Sequence, residues 1–217
     1  MPLPRQPIWL FDLDNTLHDA SRHAFPTIDA AMTGFIADAL QLPDADASTL
    51  RVAYWHRYGA TLLGLIRHHP HVDPRHFLAH SHPLDVLTRS VHPMPGLART
   101  LARLPGRKYL FTNGPHDYAE AMLAALGISH HFAGVFSIES ARYAPKPQAR
   151  AYRTLLRQWQ LDPRRCVLVE DTAANLKPAR RLGIATVLIR KGTRRSVWAD
   201  WQVPHLAALA GRWSHRR

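Results

Sequence analysis

Four short apolar runs, each ending at a polar residue or a loop, constrain the fold of this chain more than any other feature. They are Pro7-Ile-Trp-Leu-Phe-Asp12, Lys108-Tyr-Leu-Phe-Thr112, Cys166-Val-Leu-Val-Glu170 and Ala185-Thr-Val-Leu-Ile189, with a weaker fifth at Gly134-Val-Phe-Ser-Ile138. Runs of this length without alternation predict strands buried on both faces. Helical patterns lie between them: Asp117 to Leu126 closed by Gly127, Pro147 to Trp159, and Thr172 to Leu182 closed by Gly183. Strand alternating with helix predicts an α/β fold, a parallel sheet covered on both faces. Residues 21–90 read differently, with helical spacing through Phe25, Ile28, Met32, Phe35, Ile36 and Ala39 and no convincing buried strand. A second helix is expected from an N-cap at Ser48 through Leu50, Tyr54 and Tyr58 toward Gly59. The expected organisation is therefore a core from residues 1–20 and 91–217 and a small all-helical insert, 21–90, after the first strand.

Composition narrows the partners. The chain has 217 residues, enough to bury a sizeable core, and its 46% hydrophobic content falls in periodic segments, which excludes a disordered protein. The longest mostly apolar stretch, around Ala121 to Ile128, is far short of the roughly 18 residues a membrane span needs. After Met-Pro-Leu-Pro-Arg, the apolar run from Ile8 to Phe11 is too short for a secretory signal, so a cytoplasmic protein without a membrane partner is expected. Lysine and arginine number 28 against 16 acids, a net charge of +12 that attracts anions. The basic residues are scattered, clustering only at Arg190-Lys191, Arg194-Arg195 and Arg216-Arg217, with no interleaved basic and aromatic platform. A small phosphorylated substrate is thus the preferred partner, and a nucleic-acid-binding module the distant alternative. The single cysteine, Cys166, lies in an apolar run where burial is expected.

The chemistry-bearing residues follow the strands. Asp12 and Asp14 end the first; two nearby acids split in pKa, so one can stay ionised while the other carries a proton. Thr112-Asn113-Gly114 ends the second, offering a hydroxyl, an amide and a glycine for close approach to phosphate oxygens. Lys146, between Pro145 and Pro147, supplies a fixed ammonium, and Glu170-Asp171 ends the fourth run ahead of a helix. Each piece alone has a bland alternative as a turn, a surface lysine or an acidic helix start; the four in this order point to one site.

These motifs resemble the haloacid dehalogenase-like superfamily of phosphohydrolases. The resemblance implies a Rossmann-like core, Asp12 as nucleophile, Asp14 as general acid and base, and Thr112 and Lys146 as phosphate ligands, with Asn113 beside them. It also implies Mg2+ held by Asp12, the Asp14 main-chain carbonyl and Asp171, assisted by Glu170. Where many members carry a further acid, this chain has Asn175, which shifts more of the expected metal affinity to Glu170. Dehalogenases of the superfamily lack the second aspartate and need no metal, so Asp14 and Glu170-Asp171 argue for a phosphatase. Phe11-Asp-Leu-Asp-Asn-Thr-Leu17, Tyr58-Gly-Ala-Thr-Leu-Leu-Gly-Leu65, Phe111-Thr-Asn-Gly114, Tyr143-Ala-Pro-Lys-Pro147 and Glu170-Asp-Thr-Ala-Ala-Asn175 are similar to the pyrimidine 5'-nucleotidase branch. That implies a helical cap over the active site and UMP or CMP as substrate; phosphoglycolate or a sugar phosphate is the alternative.

Within the insert, Tyr58, Gly59, Thr61 and Gly64 are the expected substrate contacts; Tyr54, Trp55 and Tyr58, together with Tyr143 from residues 91–217, are stacking candidates that serve equally well as core. The histidines at 68, 69, 71, 76, 80 and 82 invite a zinc reading, and His76 and His80 would share a helical face. Without a cysteine, and with Pro70, Pro74 and Pro83 breaking the segment into loops, surface histidines are expected instead.

Overall fold

The computed structural model describes residues 6–214; the first five residues and the Arg216-Arg217 cluster lie outside that range. The chain forms two compact units, one running through Asp19 and resuming at His92, the other Ala20–Val91.

The first unit is built on a six-stranded sheet, all parallel, in the order β3-β2-β1-β4-β5-β6. The strands are β1 Ile8–Phe11, β2 Lys108–Phe111, β3 Val135–Phe136, β4 Cys166–Glu170, β5 Ala185–Ile189 and β6 Trp201–Val203. Every residue of β1, β2 and β4 is buried, as helices on both faces of a parallel sheet require. Trp9, Leu10 and Phe11 have no exposure, and the Trp9 indole N–H donates to the Pro105 carbonyl at 2.8 Å. The sixth strand is an addition to the expected set: three residues, Trp201 and Gln202 partly exposed and Val203 buried, anchored through Asp200, whose carboxylate accepts from both the backbone N–H and the hydroxyl of Thr186 at 3.0 Å.

The second unit holds α1 Ala20–His23, α2 Phe25–Leu40, α3 Asp44–Tyr58, α4 Thr61–His68, α5 Pro74–Ser81 and α6 Leu84–Arg89. In the first unit, α7 is Leu97–Arg103, α8 His116–Ala125, α9 Ala149–Gln158, α10 Ala173–Arg181 and α11 Ala207–Ser214. Helix α3 starts at Asp44 rather than at a Ser48 cap. Pro43 precedes it, and Asp44 and Asp46 in the first turn suit the positive end of the dipole, which leaves Ser48 inside the helix. Pro74 begins α5 instead of breaking it, because proline fits the first helical turn, and Asp73 Oδ1 caps the Arg75 N–H at 2.8 Å. His82, expected at the surface, is buried, and its Nδ1 lies 2.9 Å from Ser81 Oγ. His76 and His80 do share a face, and His80 Nδ1 donates to the His76 carbonyl at 2.9 Å. Among the described residues no histidine belongs to a three-ligand metal cluster.

The expected substrate contacts in this unit each have a local packing or hydrogen-bonding task. Gly59 ends α3 at φ +83°, a left-handed cap that glycine adopts without strain. Gly64 is buried, and a Cβ there would lie 2.1 Å from Tyr54 Cγ, so the missing side chain makes room for an aromatic ring rather than for a ligand. Thr61 is buried and donates to the Arg51 carbonyl at 3.1 Å. The Tyr58 hydroxyl meets His68 Nε2 at 2.5 Å, with the Arg57 and Arg67 guanidiniums near its ring. Tyr54 and His69 are likewise joined, at 2.8 Å.

No described helix is long and apolar enough to cross a membrane.

Candidate active site

Parallel pairing sets the site. Phe11 registers with Leu110 of β2 and Val169 of β4, so Asp12 emerges level with Phe111 and Glu170 at the carboxyl ends of three adjacent strands. The winding of the sheet reverses beside β1, the position where open α/β sheets bind ligands.

Lys146 is the centre of this arrangement. Its ammonium donates to Asp12 Oδ1 at 2.6 Å, to Glu170 Oε2 at 2.9 Å and to the Phe111 carbonyl at 2.8 Å, using all three of its protons. Lys146 is 2% exposed and Glu170 1%, so the charges are held in a medium that screens them poorly. Burial alone would lower the lysine pKa, but the Asp12 and Glu170 carboxylates overcome it and raise it. With its three donors on these partners, Lys146 is a fixed positive charge beside Asp12.

One ammonium cannot balance the acids around it. Asp12, Glu170 and Asp171 each offer a ligand atom, all within 4.8 Å of one another. Burial first, and then the Glu170 charge, push the Asp12 carboxyl up to about 7 despite the neighbouring lysine. Burial likewise raises Glu170 and Asp171. Three oxygen-bearing acids with one lysine form a set that a hard divalent cation would neutralise, and the residues present therefore fit a magnesium-type ion. Glu170 is more occupied than the sequence suggested. Its Oε2 also accepts from Asn175 Nδ2 at 3.1 Å, and its Oε1 accepts the Thr172 N–H at 3.1 Å. Asn175 thus holds Glu170 against Lys146, and Asp12 and Asp171 are left with more free oxygen capacity than Glu170.

Asn113 is bonded to the backbone of the same lysine. Its side chain grips the Lys146 backbone from both sides, accepting the Lys146 N–H at 2.7 Å and donating to the Lys146 carbonyl at 3.1 Å. The amide therefore orders the lysine loop. Thr112 Oγ1 accepts the Gly114 N–H at 2.9 Å, an arrangement that keeps its own proton available to donate.

Two residues near Asp14 were absent from the sequence reading. Tyr118 donates its hydroxyl to Asp14 Oδ1 at 2.7 Å, and His18 Nε2 lies 3.0 Å from the same oxygen. Both are completely buried. The available sequence signal was faint: a histidine four positions after Asp14, and a tyrosine in the helix that follows Thr112-Asn113-Gly114. Cys166 is buried as expected, its thiol pushed up to about 12 by burial, with Sγ 3.3 Å from the Asp162 carbonyl.

The family profile described as haloacid dehalogenase-like hydrolase matches residues 8–183, and the chain belongs to that family. It is similar to phosphate metabolism protein 8 of Saccharomyces cerevisiae, 25% identical over 86% of this chain, and spans 62% of the length of that relative. It is also similar to a phosphoglycolate phosphatase of Mesorhizobium japonicum, 24% identical over 86% of this chain and 84% of the relative. In fold it matches a HAD phosphatase from Thermococcus onnurineus at a TM-score of 0.70 and 17% identity, covering 96% of this chain and 98% of the other.

Proposed function

We propose that the protein is a Mg2+-dependent phosphatase of small phosphate monoesters that works through an aspartyl-phosphate intermediate. The carrying observation is the acidic trio Asp12, Glu170 and Asp171, the first two buried and the third half-buried, around a single lysine and beside a second carboxylate, Asp14. A halide leaves without protonation and without a cation, so a dehalogenase would leave both features idle.

Asp12 is the nucleophile. Its carboxylate oxygen bonds to phosphorus as the bond to the ester oxygen breaks, and Asp14 gives that oxygen its proton. Water then attacks phosphorus while giving a proton to Asp14, the bond to Asp12 breaks, and inorganic phosphate and the free carboxylate result. Lys146 orients Asp12 and favours its ionised form, and Thr112 donates to a phosphate oxygen. Asp12, Asp171 and the Asp14 carbonyl would hold Mg2+, with Glu170 supporting them, and the ion would neutralise charge on the phosphate oxygens.

The motif similarity favours pyrimidine nucleoside monophosphates, UMP and CMP, as substrates. Phosphoglycolate is a second reading, favoured by the similarity to the Mesorhizobium enzyme and by the packing tasks of Thr61 and Gly64. The test is inorganic phosphate release, with and without Mg2+, from UMP, CMP, AMP, phosphoglycolate and sugar phosphates, ranked by kcat/KM. Mg2+-dependent release led by UMP and CMP supports the nucleotide reading, and a lead for phosphoglycolate replaces it. Asp12→Asn should abolish release; turnover near the wild-type rate in that variant would sink the mechanism.

A further inference from the structure

We infer that Tyr118 and His18 are positioning residues that fix which oxygen of Asp14 handles the proton: they saturate Oδ1 with two donors and leave Oδ2 to face the reacting group. This rests on the phosphatase reading above and deepens it.

The geometry begins in the loop after β1. Asn15, at φ 61°, turns the chain so that its N–H donates to the His18 carbonyl at 2.9 Å, and the Leu17 N–H returns to the Leu13 carbonyl at 2.8 Å. The Leu17 carbonyl in turn accepts the Met94 N–H at 2.9 Å. The backbone thereby brings His18 alongside Asp14, with which it forms a bridge. The imidazole is buried, and its Nδ1 has no hydrogen-bond partner among the described residues. A proton on Nδ1 would bury an unsatisfied N–H, so the tautomer that fits carries it on Nε2, 3.0 Å from Asp14 Oδ1.

Tyr118 reaches the same oxygen from α8, 104 residues away in sequence. Burial and the Asp14 charge raise the phenol pKa, which keeps its proton in place to donate. Gly114 makes room for the ring: a Cβ there would lie 2.9 Å from Tyr118 Cδ1. Two segments far apart in sequence thus aim two donors at one oxygen.

A carboxyl oxygen that accepts two hydrogen bonds is a poor place for a proton. The proton of Asp14 therefore resides on Oδ2, which has no protein partner among the described residues. In the first step the Oδ2–H bond breaks as the proton passes to the ester oxygen leaving phosphorus. In the second, Oδ2 takes a proton from the attacking water. Tyr118 and His18 lose and gain nothing; they hold the carboxyl plane so that the transfer needs no rotation.

The experiment is steady-state kinetics of Tyr118→Phe, with Asp14→Asn and the double variant. Substrates are the fastest alkyl phosphate of the panel and p-nitrophenyl phosphate, whose leaving group departs without protonation. Tyr118→Phe should lower kcat on the alkyl ester by about 10- to 100-fold with KM little changed, and at least tenfold less on p-nitrophenyl phosphate. In the Asp14→Asn background it should have almost no further effect, since it acts only through Asp14. His18→Gln, which keeps a donor, should retain far more alkyl-ester turnover than His18→Leu. Equal losses on both substrates, or losses that multiply in the double variant, would overturn the inference. Wild-type protein that cleaves neither ester would overturn the phosphatase reading itself, and the positioning roles with it. Should Tyr118→Phe fail to fold by its melting curve, the His18 pair decides alone.

Discussion

At Asp12, burial of a carboxylate among other acids has a thermodynamic consequence. The folded carboxyl is pushed up to about 7, whereas its ordinary value is 3.8. A raised pKa means that the folded state holds the proton more tightly than the unfolded chain does. The stabilisation is fully present below about 3.8 and is lost as pH climbs through about 7. Metal-free protein should therefore lose stability across that window. Asp12→Asn, which cannot ionise, should flatten the loss and raise Tm by about 5 °C at pH 8, with little change at pH 4. Thermal melts in chelator at the two pH values check this; an equal rise at both would show that the gain is packing and not charge. The same residue that costs stability when empty-handed is the one proposed to attack phosphorus, an ordinary exchange of stability for reactivity at a site.

Elements differ in how openly their sequence declares them. Strands β1, β4 and β5 were legible because both of their faces are buried and every position but the terminal Glu170 of β4 is apolar or small. Strand β6 was not, since its three residues include Gln202 and its place is set by Asp200 bonding to Thr186 on β5, a contact between residues 14 apart. The start of α3 was misread because Ser48 is a good cap by type while Pro43, a poor one by type, stands where the chain turns. At the site, the acids and Lys146 were legible because each falls at a strand end or in a proline-bounded loop. The bond from Asn113 to the Lys146 backbone was not legible, because its partner lies 33 residues on. Tyr118 looks like any core aromatic until Asp14 is seen beside it. In the helical unit, the contact between α3 and α4 makes its own prediction. Gly64→Ala places a methyl 2.1 Å from Tyr54 Cγ and should destabilise the protein by about 1–3 kcal/mol, measured by urea unfolding. A neutral result would mean that Tyr54 swings aside at no cost.

For the whole molecule, the +12 charge sets how substrates arrive more than what happens to them. A field of that sign should draw in dianionic esters, so kcat/KM should fall as NaCl is raised from 50 to about 500 mM while kcat stays level. A fall confined to kcat would place the salt effect on chemistry or release instead. Cys166, finally, has a practical consequence for the protein as an experimental object. It is the sole thiol of the chain, buried, with its pKa near 12, so the folded enzyme should be silent to Ellman's reagent and show one equivalent in guanidinium. A cysteine introduced at any exposed position would then be the only reactive handle on the native protein, ready to carry a fluorophore or spin label without first stripping the wild-type sulfur.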